Sequence, residues 1–403
     1  MTGAGRRRLR QRLLVLFLLA MMVPYTRQLV TSPTVGQDFR AFFAAATVVA
    51  QHGDPYDWPS LARVEDQLYD APHRLQPGDP AFYEFLAYPE GPWLAFALIP
   101  LTSLPWQVAD AIYAILLLLV LVAAAFTVFA VLGWRPTRAW LGAACAALSA
   151  VGFINLFMGQ VSVIVFGAFV AAWFLAGRGH GWWAGLALVL IWLKPNIGLP
   201  LPVVIVLLEP AMTRRVIGGF IAASAVAFGA ATIVLGTGVV EWPLQIPRMW
   251  QAVQGIQPDI ASIESFFYPG LTGWPKMGAL LLTTGAAAGY AGWGLRRARD
   301  PQTRGLTLLL IWLAALPFVQ SYDMILLLPL VAVLLGPRLE GWADPLVEVT
   351  LWAFLVFPFC YFLGLRFGYF NGFTAIPVVL LLLAWHRRRI APAQDQLAPA
   401  VAA

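Results

Sequence analysis

Charge is scarce in this chain. Only 11% of its 403 residues are Asp, Glu, Lys or Arg, against about 25% in soluble domains, while 60% are apolar and 13% aromatic. The mean hydropathy of +0.75 and repeated apolar runs near the ~20 residues that cross a bilayer exclude a single soluble domain. They point to an all-α polytopic membrane protein. Cysteine is nearly absent as well. Cys145 and Cys360 both lie inside apolar runs, which excludes a disulfide framework or a thiolate metal cluster. The four histidines, His52, His73, His180 and His386, lie away from the polar motif at 320–324, so His-based catalysis has little support. No Ser-His-Asp set, phosphate-cradling glycine loop or zinc motif is present. A net charge of +6 does not signal nucleic acid here, because the basic residues fall in short clusters between apolar segments and read as topology signals.

Those clusters orient the chain. Residues 1–12 carry Arg6, Arg7, Arg8, Arg10 and Arg12 and read as a cytoplasmic basic segment. The apolar run 13–23 reads as an uncleaved first span, since no small-x-small cleavage site follows. Further apolar segments at 106–132, 140–157, 161–176, 182–193, 197–208, 215–236, 277–295, 306–320, 324–336, 346–365 and 372–386 bring the expected total to twelve. The membrane domain then covers 13–386, with a cytoplasmic tail at 387–403. Alternate threading leaves 18 of the 26 Lys and Arg inside and 14 of the 20 acids outside, the positive-inside pattern. The stretch 93–104 is too short to span alone and reads as an interfacial helix or the kinked beginning of the second span. Segments 182–193 and 197–208 read as two tilted spans or a re-entrant hairpin, with Lys194, Pro195 and Asn196 at the apex. The long loops, 31–92 and 237–276, lie outside, so chemistry is expected at the outer face of the cytoplasmic membrane. No cytoplasmic loop has room for an ATPase or nucleotide-sugar domain.

Within the first outer loop, Phe39, Phe42, Phe43, Ala46, Val49 and Ala50 repeat at helical spacing, which predicts an amphipathic helix on or in the outer leaflet with Asp38 at its start. Asp38 fits two roles, a helix N-cap and a general base where an aqueous acceptor meets a membrane-held donor. Asp54 and Asp57 flank Pro55 and Tyr56 and predict a turn rather than a metal site; Glu65, Asp66, Asp70 and Asp79 read as solvated acids. Gly159 and Gln160 sit at a tight outer turn, where Gln160 can meet a sugar hydroxyl or a backbone carbonyl. Lys194, one of only two lysines, interrupts an apolar stretch before Pro195 and reads as an interfacial anchor or a lipid-phosphate partner. Arg248, Lys276 and Arg366 are other outer cations. Asp323, in Gln320-Ser321-Tyr322-Asp323-Met324, reads as a helix cap or a polar-cavity residue.

The order of these motifs resembles glycosyltransferase family 87. An outer-loop acid (Asp38), a Gly-x-Pro-Tyr-Asp turn (53–57), a Tyr-Pro segment (Tyr88-Pro89), Gly-Gln (159–160), Lys-Pro (194–195) and Ser-Tyr-Asp followed by Leu-Leu-Leu-Pro (321–329) occur in consistent sequence. That family includes mannosyltransferases that use polyprenyl-phosphate mannose. The resemblance implies a C-type membrane glycosyltransferase fold, a polyprenyl-phosphate-linked sugar donor, a lipid or glycan acceptor, inversion at the anomeric carbon and no metal or other cofactor. It implies Asp38 as the catalytic carboxylate and Lys194 near the donor phosphate, with Gln160, Tyr88, Tyr322, Asp323, Arg248 and Arg366 as candidate binding residues. Two positions depart from the family's pattern. The usual Tyr-Pro-Pro is Tyr88-Pro89-Glu90, and Met324 stands where many relatives carry His.

A transporter or lipid flippase is the alternative class. Twelve spans suit transport, with Lys194 and Asp323 as intramembrane polar sites. The halves show no evident sequence repeat, and the large acidic outer loop favours the enzyme.

Overall fold

The structure, a computed structural model, describes residues 37–68, 88–236, 239, 242–243, 273–298, 300–316, 319–336 and 372–387. Every regular element among them is helical. The expected spans at 13–23 and 346–365, and most of the loop 237–276, lie outside the described residues.

The outer region begins with α1 (Gln37–Ala50) and α2 (Trp58–Leu68). Helix α1 corrects the sequence expectation of a surface amphipathic helix. Phe39, Phe42 and Phe43 are buried, and so are Ala41, Ala44 and Ala45 between them. A helix enclosed on nearly every side is a core element, not an interfacial one. The alanines permit this, because their small side chains let α3 (Pro92–Leu98) and its neighbours approach closely. A 3-10 stretch, Ile99–Ser103, continues α3 until Leu104 turns extended ahead of Pro105. Residues 93–104 are therefore a short helical segment broken from the next helix by proline.

Helix α4 (Trp106–Val131) is long and apolar enough to cross a membrane, as is the stretch Pro210–Leu235 that contains α11 (Thr213–Leu235). Helices α5 (Pro136–Leu148) and α6 (Ala150–Met158) form a pair bent by 56°. Ser149 makes the bend, for its backbone is extended while its hydroxyl accepts from the Gly152 N–H and donates to the Ala146 carbonyl. Helix α7 (Ser162–Gly177) runs through the centre, with Phe166 and Phe169 fully buried.

The remaining apolar stretches are shorter or broken. Helix α8 (Gly181–Ala187) tightens into a 3-10 turn over Leu188–Leu193, and after Lys194 the chain resumes as α9 (Pro195–Gly198) and α10 (Leu201–Leu208). Helix α12 (Gly273–Arg297) and α13 (Pro301–Ala315) precede a 3-10 turn, Ser321–Leu327, that leads into α14 (Leu328–Leu335); α15 (Gly372–Trp385) follows. Twelve uninterrupted spans are not what the described residues contain, because proline and 3-10 turns divide the apolar runs. Large apolar side chains such as Leu119, Val226, Ile233 and Leu282 stand exposed on α4, α11 and α12, as lipid-facing residues do. Helices α8 and α11 pack with backbones in near contact. A Cβ on Gly185 would strike the Val216 carbonyl, and one on Gly219 the Trp182 carbonyl, the small-residue contact that membrane helices use.

Candidate functional site

The site is organised around Lys194. Pro195 disfavours helical backbone at the preceding residue, and Lys194 sits at φ −145°, ψ 77°, with its side chain turned inward. Its Nζ lies 2.8 Å from Asp323 Oδ1, 3.1 Å from Ser162 Oγ and 3.3 Å from Gln160 Oε1, and 4.3 Å from the Tyr322 ring centroid. An ammonium has three N–H donors, and all three are engaged. Asp323 is fully buried. Its Oδ1 also accepts from Ser162 Oγ at 2.6 Å, while Oδ2 accepts from the Gln320 N–H at 3.0 Å and completes a capping box for the 3-10 turn. Asp323 thus both caps the turn and pairs with the cation.

Gln160 reaches this cluster because α6 ends in a left-handed residue. Gly159 has φ +73°, and the Gln160 N–H returns to the Asn155 carbonyl at 2.8 Å, a Schellman-type termination that favours glycine. A side chain at 159 has no room in any case, since its Cβ would lie 2.9 Å from Phe39 Cβ. The Gly-Gln turn therefore packs directly on the residue after Asp38. Asn155, fully buried, donates from Nδ2 to the Val151 and Tyr322 carbonyls and so ties α6 to the 3-10 turn bearing Asp323.

Helix α1 starts at Gln37, which puts Asp38 in the first turn rather than at the capping position, half-buried. A carboxylate there is favoured by the helix dipole. The segment Tyr88–Gly91 is held by three side-chain donors on successive carbonyls. Trp242 Nε1 donates to Pro89, Tyr56 Oη to Glu90 and Tyr88 Oη to Gly91, at 3.0, 2.9 and 2.6 Å. Tyr88 Oη also accepts from the Ala95 N–H, and burial pushes both phenols far above their ordinary range. Gly91 presses on the Trp192 carbonyl, 2.8 Å from where its Cβ would stand. Glu90 is 7% exposed, and burial raises its carboxyl from 4.5 to about 8; the Lys194 ammonium opposes that rise and the Asp38 and Asp323 carboxylates add to it.

The structure thus brings Gln160, Lys194, Tyr322 and Asp323 into one bonded cluster, with Asp38 and Tyr88 on adjoining elements. Arg248 and Arg366 lie outside the described residues, as does the side chain of Lys276. Asp54 accepts from the Tyr56 N–H, and Asp57 accepts from the Ser60 N–H and hydroxyl at the start of α2, so both build the turn. Glu65 corrects the reading of a solvated acid: it is 8% exposed, one helical turn from buried Leu61 on the inner face of α2. Asp66 is exposed, and Asp70 and Asp79 lie outside the described residues. Sequence reasoning passed over Ser162, Asn155 and Glu90. For Asn155 a signal existed, since a lone amide inside an apolar run marks a functional or bridging position.

No curated protein and no solved structure matches this chain. The profile of glycosyltransferase family 87 matches residues 85–319, more than half of the sequence. That match spans the Glu90 segment, the Gly159–Gln160 turn and Lys194, and it ends just before the turn that carries Asp323. The chain belongs to glycosyltransferase family 87, a membrane-type glycosyltransferase by family and by its apolar helices.

Proposed function

We propose that this protein transfers a sugar, mannose being the family's best-known one, from a polyprenyl-phosphate donor to a lipid or glycan acceptor at the outer face of the cytoplasmic membrane. The fold is then the C-type glycosyltransferase fold with about twelve spans, and both termini are cytoplasmic. The observation that carries this reading is the junction of α1 with the Lys194 cluster. Asp38 is half-buried and one residue from the contact between Phe39 and Gly159, while Gln160 is bonded to Lys194.

Asp38 accepts the proton of the acceptor hydroxyl as that oxygen attacks the anomeric carbon from the face opposite the phosphate. The bond between the anomeric carbon and the phosphate oxygen breaks, its electron pair stays on the phosphate, and configuration inverts. The departing lipid phosphate is a stable anion, so no strong acid opposite the base is needed. A phosphate oxygen approaching Lys194 replaces the Gln160 bond, the longest of the three at 3.3 Å, which releases the Gln160 amide for a sugar hydroxyl. Exchange of one acceptor for another keeps the buried ammonium satisfied throughout.

The test is incubation of the purified protein with radiolabelled polyprenyl-phosphate mannose and total envelope lipids. A labelled lipid or glycan product is expected. Asp38→Asn should cut turnover by roughly 100- to 10,000-fold, the usual value of a general base, while shifting the unfolding temperature little. Undiminished turnover by that variant rejects the base. Transfer from no polyprenyl-phosphate sugar rejects the donor class.

A further inference from the structure

We propose that Tyr113 is a substrate-binding residue whose hydroxyl forms a hydrogen bond with a hydroxyl of the transferred sugar. The proposal rests on the polyprenyl-phosphate reading above and adds to it a contact on the sugar.

Tyr113 belongs to the inward stripe of α4, in line with Ala109, Leu117 and Leu121. A phenol in that stripe carries a cost that its aliphatic neighbours avoid. Its oxygen is buried and has no hydrogen-bond partner among the described residues, and a buried hydroxyl left unbonded is expensive. Phenylalanine would fill the same space without that cost. The ring is held in place, stacked on Phe39 with centroids 4.7 Å apart and planes 24° apart. A polar group fixed in position but unbonded is suited to a ligand.

Two observations aim the hydroxyl at the site. Side chains on a helix lean toward its N-terminus, and the N-terminus of α4 is the end reached from the Tyr88–Gly91 segment through α3. The carboxyl groups that act on the phenol are those of Glu90, Asp38 and Asp110, from that segment, from α1 and from the start of α4, and it bonds to none of them. Phe39, on which the ring lies, follows Asp38 and fills the space beside Gly159. The phenol is thus joined through one side chain to the Gly159–Gln160 turn.

The missing partner is a group that the substrate brings. In the proposed reaction the phosphate lies at Lys194 and the acceptor oxygen at Asp38, so the sugar spans the interval that Phe39 and Gly159 close. A phosphate oxygen only accepts hydrogen bonds, and the ammonium already serves it. A sugar hydroxyl both gives and takes, as a phenol does. The contact carries no charge and therefore reads the hydroxyl pattern of the sugar rather than the anion that carries it.

The experiment measures the affinity of the purified full chain, in detergent and without acceptor, for polyprenyl-phosphate mannose and for polyprenyl phosphate, by tryptophan fluorescence. The ratio isolates what the sugar adds. In the wild type the mannosyl lipid should bind more tightly. Tyr113→Phe removes only the oxygen. It should cut that advantage by about tenfold, the value of one neutral hydrogen bond, and leave polyprenyl phosphate affinity unchanged. Its unfolding temperature should hold or rise, since no bond within the fold is lost. Among monodeoxy mannose analogues of the donor, the one lacking the contacted hydroxyl should bind wild type and variant alike.

An unchanged ratio in Tyr113→Phe overturns the proposal, and a lower unfolding temperature beside it would mark the hydroxyl as structural, bonded to water only. An equal loss for both lipids also overturns it, by placing the phenol on the phosphate or the carrier chain. So does a difference between wild type and variant that no deoxy analogue erases. A mannosyl group that adds nothing in the wild type removes the sugar contact and leaves the phosphate contact of the earlier reading standing. If the ratio depends on Tyr113 but no sugar is transferred, the transfer reading fails and the sugar contact stands. Absence of binding by either lipid removes both.

Discussion

The two sides of the site differ in how completely their polar groups are satisfied. On one side, Lys194 makes three hydrogen bonds and Asp323 has both oxygens bonded. On the other, Glu90 is fixed through its backbone and leaves its carboxyl unbonded among the described residues, beside a half-buried Asp38. The closed side is a frame, in which a buried ion pair joins three distant stretches of chain. The open side holds the capacity for new bonds. The sequence expects a phosphate partner at Lys194, with Arg248, Lys276 and Arg366 as other outer cations; because the three Lys194 donors are already engaged, the proposed contact there is an exchange.

The largest expected effect breaks the closed side. Lys194→Met leaves the Asp323 carboxylate buried and unpaired, which should cost about 3–5 kcal/mol and lower the unfolding temperature sharply. Adding Asp323→Asn, which retains an oxygen for the Gln320 N–H, should restore most of that stability but not turnover. A double variant as unstable as the single one would show that the pair is not the frame. Next comes the seam between the two sides. Gly159→Ala meets a left-handed backbone and the Phe39 contact together, and should lose about 2 kcal/mol, with turnover falling further than a stability change alone explains. That split is read by comparing kcat with unfolding temperature.

A pH series sharpens the contrast. Glu90 binds its proton more tightly in the folded chain than in the unfolded one, so its contribution to stability is complete below about pH 4.5 and is lost as pH rises through about 8. Between those values the slope is at most about 1.4 kcal/mol per pH unit, and Glu90→Gln should remove it from the difference between the two unfolding curves. The smallest effect belongs to Ser162→Ala. It deletes one bond to Lys194 and one to Asp323 while leaving the ion pair, and should cost about 1–2 kcal/mol on thermal unfolding.

Much of the helical scaffold was legible. The run 106–132 became Trp106–Val131, and the turn at Gly159 follows from its conformational freedom. The meeting of Gln160, Lys194 and Asp323 was foreshadowed only by their shared membership in a family-like order of motifs, because spacing along a chain does not encode which corners converge. The all-round burial of α1 was hidden by alanine, which reads as neither a polar nor a strongly apolar face. Glu90 was noted only as a departure from a Tyr-Pro-Pro pattern, and Ser162 not weighed at all. A single side chain in a loop or at a helix start has no period from which a role can be read; its meaning comes from what folds onto it.

The missing methyl at Gly159 sets a length. Because Phe39 fills the space a side chain would take, the first turn of α1 is seated against the end of α6 with no spacer between them. The register of Asp38 against the Gly159–Gln160 turn is therefore gauged by a bare backbone, and any residue but glycine would act as a shim that pushes α1 away from that turn.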